Sequence, residues 1–83
     1  MTQNEIRDAM FGIIRSVLGK ETLELSPGTE AKDVAEWDSL RQVMIILAVE
    51  EKFGIRLSSR EVDSLRNVND FIGLIATKLG LSS

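Results

Sequence analysis

Apolar residues recur at helical spacing in three separate segments of the chain. In the first segment, Thr2 and Glu5 fit a capping box, in which two side chains satisfy two free backbone N–H groups. Gly19 is placed to end this helix in a left-handed conformation. The middle segment runs without glycine or proline from about Ser39 to Phe53, and this length favours a helix over a buried strand. The apolar positions of the first helix are Ile6, Met10, Ile13, Ile14 and Val17.

The third periodic segment lies near the end of the chain, where Asn67 or Asn69 can cap a helix and Gly80 can end it. A shorter helix is predicted from about Arg60 to Ser64, because the preceding sequence offers a second possible capping box. The pattern therefore predicts an all-α fold, a small four-helix bundle with three main helices and one short helix. The capping pair is Ser58 with Glu61, and the apolar positions of the last helix are Val68, Phe71, Ile72, Ile75 and Leu79.

Residues 20–37 have no helical periodicity and include the turn sequence Ser26-Pro27-Gly28. A loop of roughly 18 residues is long for a compact domain, so we expect it to pack against the helices and to serve the function. Repeats and low-complexity segments are absent from the sequence. We therefore expect one domain spanning residues 1–83.

The middle helix has apolar residues on two opposite sides. One side carries Ile45, Ile46, Val49 and Phe53, and the other carries Leu40, Val43, Met44 and Leu47. A surface helix needs only one apolar stripe, and the first set can supply it. The second set, which we call the α2 stripe, allows two interpretations. Either the helix is buried on both sides, or the stripe is open and meets a partner or shelters an apolar ligand.

Charge and composition exclude several classes of function. The formal net charge is -3 and the pI is about 4.9, which disfavours nucleic-acid binding. The chain has neither cysteine nor histidine, so it lacks thiolate and imidazole ligands for a metal and an imidazole base for catalysis. The longest apolar run, residues 43–49, is too short to cross a membrane. The polar N-terminal sequence does not resemble a signal peptide, so we expect a cytoplasmic protein.

Ser39 lies at the predicted start of the middle helix, and its role is open at this stage. As a cap, Ser39 would form a capping box with Gln42, although Asp38 is itself a good cap. Alternatively, Ser39 is exposed at the end of a rigid element and is modified by another enzyme. Catalysis by Ser39 itself is disfavoured, because the chain has no histidine to act as its base. We therefore predict no catalytic residues.

The sequence resembles the acyl carrier protein family over most of its length. The resemblance is carried by the Asp38-Ser39-Leu40 triplet, an apolar helix and Glu50-Glu51-Lys52-Phe53-Gly54, followed by a short helix and a last helix. It implies that Ser39 carries 4′-phosphopantetheine as a phosphodiester, installed by a phosphopantetheinyl transferase. The thiol of this arm would hold an acyl or aminoacyl group as a thioester. Asp38 would cap the helix and be recognised by the transferase.

The resemblance also implies a monomeric, non-catalytic carrier that meets a loading enzyme and a downstream synthase or transferase. Leu40, Arg41, Val43, Met44 and Leu47 are the candidate partner-binding residues. Carriers of primary fatty-acid synthesis usually have acidic residues where this chain has Arg41 and Met44. The acids precede the serine instead, at Glu30, Asp33, Glu36 and Asp38, and Trp37 is also an uncommon choice.

These departures favour a discrete carrier in a specialised polyketide, aminoacyl or lipid-modifying pathway. The competing hypothesis is an unmodified helical adaptor that presents the α2 stripe to a groove on another protein.

Overall fold

The computed structural model describes residues 2–80, so the outermost residues of the predicted domain, 1 and 81–83, lie outside the described part. Within it, four α-helices follow one another without a β-strand. The helices are α1 (Gln3–Leu18), α2 (Ser39–Phe53), α3 (Ser59–Asp63) and α4 (Val68–Lys78). The predicted all-α bundle with three main helices and one short helix is therefore confirmed. No helix in residues 2–80 is both long enough and apolar enough to cross a membrane.

Local capping explains most of the helix boundaries. Thr2 and Ser58 each form the predicted reciprocal capping box with the glutamate three residues later. Asn67, not Asn69, caps α4 by accepting a hydrogen bond from the backbone N–H of Asp70. α1 and α2 end at Gly19 and Gly54, which adopt φ values of 68° and 65°. These are left-handed conformations that glycine adopts without steric cost.

The core lies between α1, α2 and α4, and α1 packs against both of the other long helices. Every fourth residue of α1 from Ile6 to Leu18 is buried, as expected for one face of a helix. No polar or charged side chain is buried among the described residues. The buried residues are Ile6, Met10, Ile14, Leu18, Val34, Trp37, Ile45, Val49, Phe53, Val68, Phe71, Ile72, Ile75 and Ala76.

The long connection between α1 and α2 packs against the bundle, as predicted. It contains a short 3₁₀ helix at Ala31–Asp33, and its side chains Val34 and Trp37 belong to the core. Two of its backbone carbonyls accept hydrogen bonds from the first turn of α4. Thr29 O accepts from Val68 N at 2.9 Å, and Pro27 O accepts from Asn69 N at 2.8 Å. The connection therefore supplies partners for N–H groups that a helix start leaves free.

One core assignment was wrong. Ile46 was grouped with Ile45, Val49 and Phe53, but it is only partly buried and packs at the edge of the core. Ile46 faces α3, where it lines a shallow depression together with Leu57 and Val62. The periodicity of α2 gives the direction in which each side chain points, but it does not show how far the neighbouring helices extend over that side. Ile46 therefore packs against the core and remains partly exposed.

The short helix α3 is held to α4 by an ion pair between Glu61 and Lys78. Lys78 Nζ lies 2.8 Å from Glu61 Oε2, while Glu61 Oε1 accepts from the backbone N–H of Ser58. The hydrogen bond from Lys78 and the one from Ser58 lower the pKa of Glu61 from 4.5 to about 2. Glu61 is therefore ionised at neutral pH and can serve both contacts. This ion pair links α3 to the last turn of α4.

A pair of substitutions on α2 tests the burial of its two sides. Ile45 is fully buried and Leu47 is 59% exposed. We expect Ile45→Ala to lower the free energy of unfolding by about 2–5 kcal/mol, because it leaves a cavity in a packed core. Leu47→Ala removes the same number of atoms from the surface and should change it by about 0.5 kcal/mol or less. Urea melts of both variants give the comparison.

If Ile45→Ala does not fold, Ile45→Val should still show a loss of about 0.5–1.5 kcal/mol. Equal losses for Ile45→Ala and Leu47→Ala would contradict the orientation of α2.

Candidate functional site

Asp38 is the N-cap of α2. Its Oδ1 accepts a hydrogen bond of 2.9 Å from the backbone N–H of Arg41, and its backbone is extended as N-caps require. The capping box of Ser39 with Gln42, considered as one role for the serine, does not form. Gln42 instead accepts a hydrogen bond from another side chain. Of the two adjacent residues that are good caps, the structure therefore uses the first.

Ser39 is the first residue of α2 and is exposed to solvent. Because Asp38 serves as the cap, the Ser39 hydroxyl forms no hydrogen bond with any described residue. The phosphodiester implied by the family resemblance needs an accessible hydroxyl on a fixed backbone, and Ser39 meets both requirements. Ser59 has the same position at the start of α3, behind its own cap. Ser39 differs in its surroundings, because apolar surface continues from it along α2.

The α2 stripe is exposed, which decides between the two interpretations of the sequence. Its four side chains retain between 43% and 62% of their accessible surface. They lie on the side of α2 opposite Ile45, Val49 and Phe53, which are buried. Arg41 lies within the same stretch and is partly exposed. A contiguous run of large apolar side chains on a surface helix is typical of a protein interaction site.

A shallow apolar depression adjoins the stripe between α2 and α3. Its volume is about 250 Å³, and its lining includes Val43 and Leu47 of the stripe. The sequence did not predict it, because its far wall is formed by Leu57, which precedes α3, and by Val62. Periodicity within single helices does not show where two helices meet. The depression gives an apolar group that lies along the α2 stripe a place to leave water.

The acidic residues before Ser39 are largely engaged in local contacts. Glu36 Oε2 lies 3.0 Å from Lys20 Nζ, and this hydrogen bond lowers the pKa of Glu36. Asp33 accepts from the backbone N–H of Glu30, whose own carboxylate lies 3.8 Å from Lys32 Nζ. Each of these contacts reduces the charge available to a partner. The connection therefore presents a weaker acidic surface than its sequence suggests.

Trp37 and Gln42 form a contact that was not predicted from the sequence. The indole Nε1–H donates to Gln42 Oε1 at 2.7 Å, and only 8% of Trp37 is exposed. Trp37 stood out in the sequence as an uncommon residue before the triplet, but the pairing with Gln42 had no local signature. The two residues are five positions apart in the sequence: Trp37 precedes the start of α2, and Gln42 lies in its first turn.

The chain is similar in sequence to proteins of one known family. The phosphopantetheine attachment site family matches residues 8–75. The chain is 36% identical to the acyl carrier protein of Acidothermus cellulolyticus, over 92% of this chain and 90% of that protein. It is 33% identical to the meromycolate extension acyl carrier protein of Mycobacterium tuberculosis, over 90% of this chain. The chain spans only 65% of the length of that relative.

The fold agrees with that of a solved relative. The solution structure of a holo acyl carrier protein from Geobacter metallireducens matches with a TM-score of 0.83 and 32% sequence identity. The match covers 89% of this chain and 85% of the other. The match to the family spans the connection, Ser39 and all of α2. The chain therefore belongs to the acyl carrier protein family of phosphopantetheine attachment domains, whose cofactor is 4′-phosphopantetheine.

Proposed function

We propose that Ser39 Oγ is the attachment site of 4′-phosphopantetheine and that the chain carries acyl or aminoacyl intermediates in a specialised biosynthetic pathway. The observation that carries the proposal is the division of roles at the start of α2. Asp38 caps the helix, and this leaves the adjacent Ser39 hydroxyl exposed at one end of the α2 stripe. The arm, once attached, supplies the thiol that holds the cargo as a thioester. Partner enzymes then carry out the chemistry on that cargo.

Attachment requires little of the chain beyond presentation of a hydroxyl. A bond forms between Ser39 Oγ and the phosphorus of the donor, while the bond from phosphorus to the donor's leaving group breaks. The hydroxyl proton must pass to a base, and the chain contains no histidine. Asp38 is committed to the cap through Oδ1, which accepts from Arg41 N–H. We therefore assign the base to the transferase.

The α2 stripe and Arg41 form the proposed surface for the transferase, the loading enzyme and the downstream synthase. Leu40, Val43, Met44 and Leu47 supply exposed apolar area, and Arg41 adds a charge at its edge. Arginine is frequent among residues that contribute most to protein interfaces. The depression between α2 and α3 is available to apolar cargo. None of these contacts requires the core to open.

The specialised pathway is supported by the residues that replace acids on α2 and by one group of relatives. A meromycolate extension acyl carrier protein is by name a carrier in lipid assembly. Arg41 and Met44 make the first turns of α2 less acidic than in carriers of primary fatty-acid synthesis. Among the polyketide, aminoacyl and lipid-modifying alternatives, this relative favours the lipid-modifying class. A monomeric, non-catalytic carrier in the cytoplasm is part of the same proposal.

Modification of Ser39 can be tested by intact mass with a matched serine as control. Ser39→Ala should remain folded and accept no arm from a broad-specificity phosphopantetheinyl transferase. Ser59→Ala removes the equivalent hydroxyl at the start of α3 and should be modified like the wild type. Peptide mapping of the wild type should place the added mass on Ser39. An arm on another serine would disprove the assignment, and no arm on the wild type would favour the adaptor hypothesis.

The role of Asp38 predicts opposite effects for two adjacent substitutions. Asp38→Ala removes the acceptor for Arg41 N–H and should lower the free energy of unfolding by about 0.5–2 kcal/mol. Asp38→Asn keeps a good capping side chain and should retain most of the stability. Ser39→Ala should be close to neutral, because alanine is a strong helix former. Urea melts that showed Ser39→Ala to be the destabilised variant would contradict this assignment of the cap.

The partner surface predicts a change of transferase preference. A transferase restricted to fatty-acid carriers should act poorly on the wild type, and the double substitution Arg41→Glu with Met44→Glu should increase its rate. Complementary charge acts mainly on association and specificity, so the gain should appear in kcat/KM. The double substitution Arg56→Glu with Asn4→Glu makes the same change in net charge at two exposed positions outside the stripe and the depression, and provides the control. Equal rates for all three proteins would show that Arg41 and Met44 are not recognised.

A further inference from the structure

The residues around Trp37 connect the start of α2 to the rest of the bundle. The indole belongs to the buried core, and its Nε1–H donates to Gln42 Oε1 at 2.7 Å. Trp37 and Gln42 also line a gap of about 40 Å³ together with Asn67 and Phe71. Asn67 is the N-cap of α4 and Phe71 lies in its first turn. The indole thus lies between the first turn of α2 and the start of α4.

Three hydrogen bonds fix the two residues that precede Ser39. Gln42 binds Trp37 through its side chain, and its backbone N–H donates to Asp38 O at 2.9 Å. The third bond is the cap, from Arg41 N–H to Asp38 Oδ1. The backbone leading into Ser39 is therefore tied to the helix that follows it. The Ser39 hydroxyl forms no hydrogen bond within residues 2–80 that could hold it in place.

The Trp37–Gln42 contact is the only one of the three hydrogen bonds that also involves the core. The cap and the backbone bond would form at the start of any isolated helix. Trp37 belongs to the connection between α1 and α2, and this connection is bound to the first turn of α4 through Thr29 O and Pro27 O. The Trp37–Gln42 bond therefore links the start of α2 to α4 as well. The position of the segment that leads into Ser39 therefore depends on the Trp37–Gln42 bond as well as on the burial of α2 in the core.

We propose that Trp37 and Gln42 are positioning residues, which hold Ser39 Oγ in the place where the transferase meets it. This inference rests on the proposed attachment at Ser39. When a transferase is docked on the α2 stripe, its active site lies at a fixed distance from that surface. The Ser39 hydroxyl must lie at the same place for transfer to occur. A small misplacement of a reacting atom is costly to the rate even when binding is unchanged. Loss of the Trp37–Gln42 bond should therefore slow transfer without weakening docking.

The matched variants keep or remove the acceptor at constant side-chain length. Gln42→Met lacks a good acceptor and leaves the indole N–H unpaired, whereas Gln42→Glu keeps an oxygen that can accept from it. Trp37→Phe removes the donor. Gln3→Met changes the other glutamine of the chain, which is exposed in the first turn of α1, and serves as the control.

We expect kcat for arm transfer to fall about tenfold in Gln42→Met and in Trp37→Phe, with KM for the carrier unchanged. The double variant should be no slower than either single variant, because both changes remove one bond. Gln42→Glu and Gln3→Met should retain wild-type kcat. Kinetics are measured at a temperature where urea melts show each protein to be folded.

The bond itself has an independent readout in the nuclear magnetic resonance spectrum. Trp37 is the only tryptophan, so the chain gives one indole N–H signal. Its exchange with solvent should be slow in the wild type and in Gln42→Glu, with and without the arm, and at least tenfold faster in Gln42→Met. Rapid exchange in the wild type would overturn the inference.

The kinetic outcomes separate this inference from the proposed function. If the wild type accepts the arm and Gln42→Met loses indole protection but keeps its kcat, the positioning role is wrong and the attachment site stands. If KM rises while kcat is unchanged, Gln42 belongs to the docking surface and the positioning role is again wrong. If the wild type accepts no arm at all, the proposed function fails and the inference fails with it.

Discussion

The hydrogen bond from Arg41 N–H to Asp38 Oδ1 determines which residue at the start of α2 is available for chemistry. An N-cap side chain accepts from its own helix, so its oxygen is occupied. If Ser39 were the cap, its hydroxyl would be committed to the backbone, and α2 would begin one residue later. With Asp38 in that role, Ser39 becomes the first helical residue and its hydroxyl remains exposed. A structural carboxylate thus leaves the adjacent hydroxyl free to react.

Sequence patterns predicted the features that depend on near neighbours. The capping boxes at Thr2 and Ser58 and the left-handed residue at Gly19 involve groups within about one helical turn, and all three are present. Capping propensity alone did not separate Asp38 from Ser39, because both residues are good caps and they are adjacent. The family resemblance favoured Asp38, and the structure shows Asp38 in that role. Periodicity fixes the direction of a side chain along a helix. It leaves the first residue of the helix uncertain by at least one position.

The features that sequence patterns missed depend on groups that meet only after folding. Ile46 was expected in the core, but α3 ends beside it and leaves it at an edge. Trp37 and Gln42 pair across a helix boundary, where neither helical nor strand spacing applies. The sequence gives no sign that Glu36 is paired, because its partner Lys20 lies 16 positions earlier in the chain. In each case the missing information was the relative placement of two segments, which composition and local spacing do not contain.

The two sides of α2 have different roles: one side packs in the core, and the other is exposed to partners. Ile45 and Val49 are fully buried, so the core fixes the rotation of α2 about its axis. That rotation exposes the opposite side, including Leu40 and Leu47, whatever partner is present. The cap and the Trp37 contact then fix the end of the same helix. Under the proposed attachment at Ser39, the movement needed for delivery falls to the arm, while α2 provides the surface beside its point of attachment.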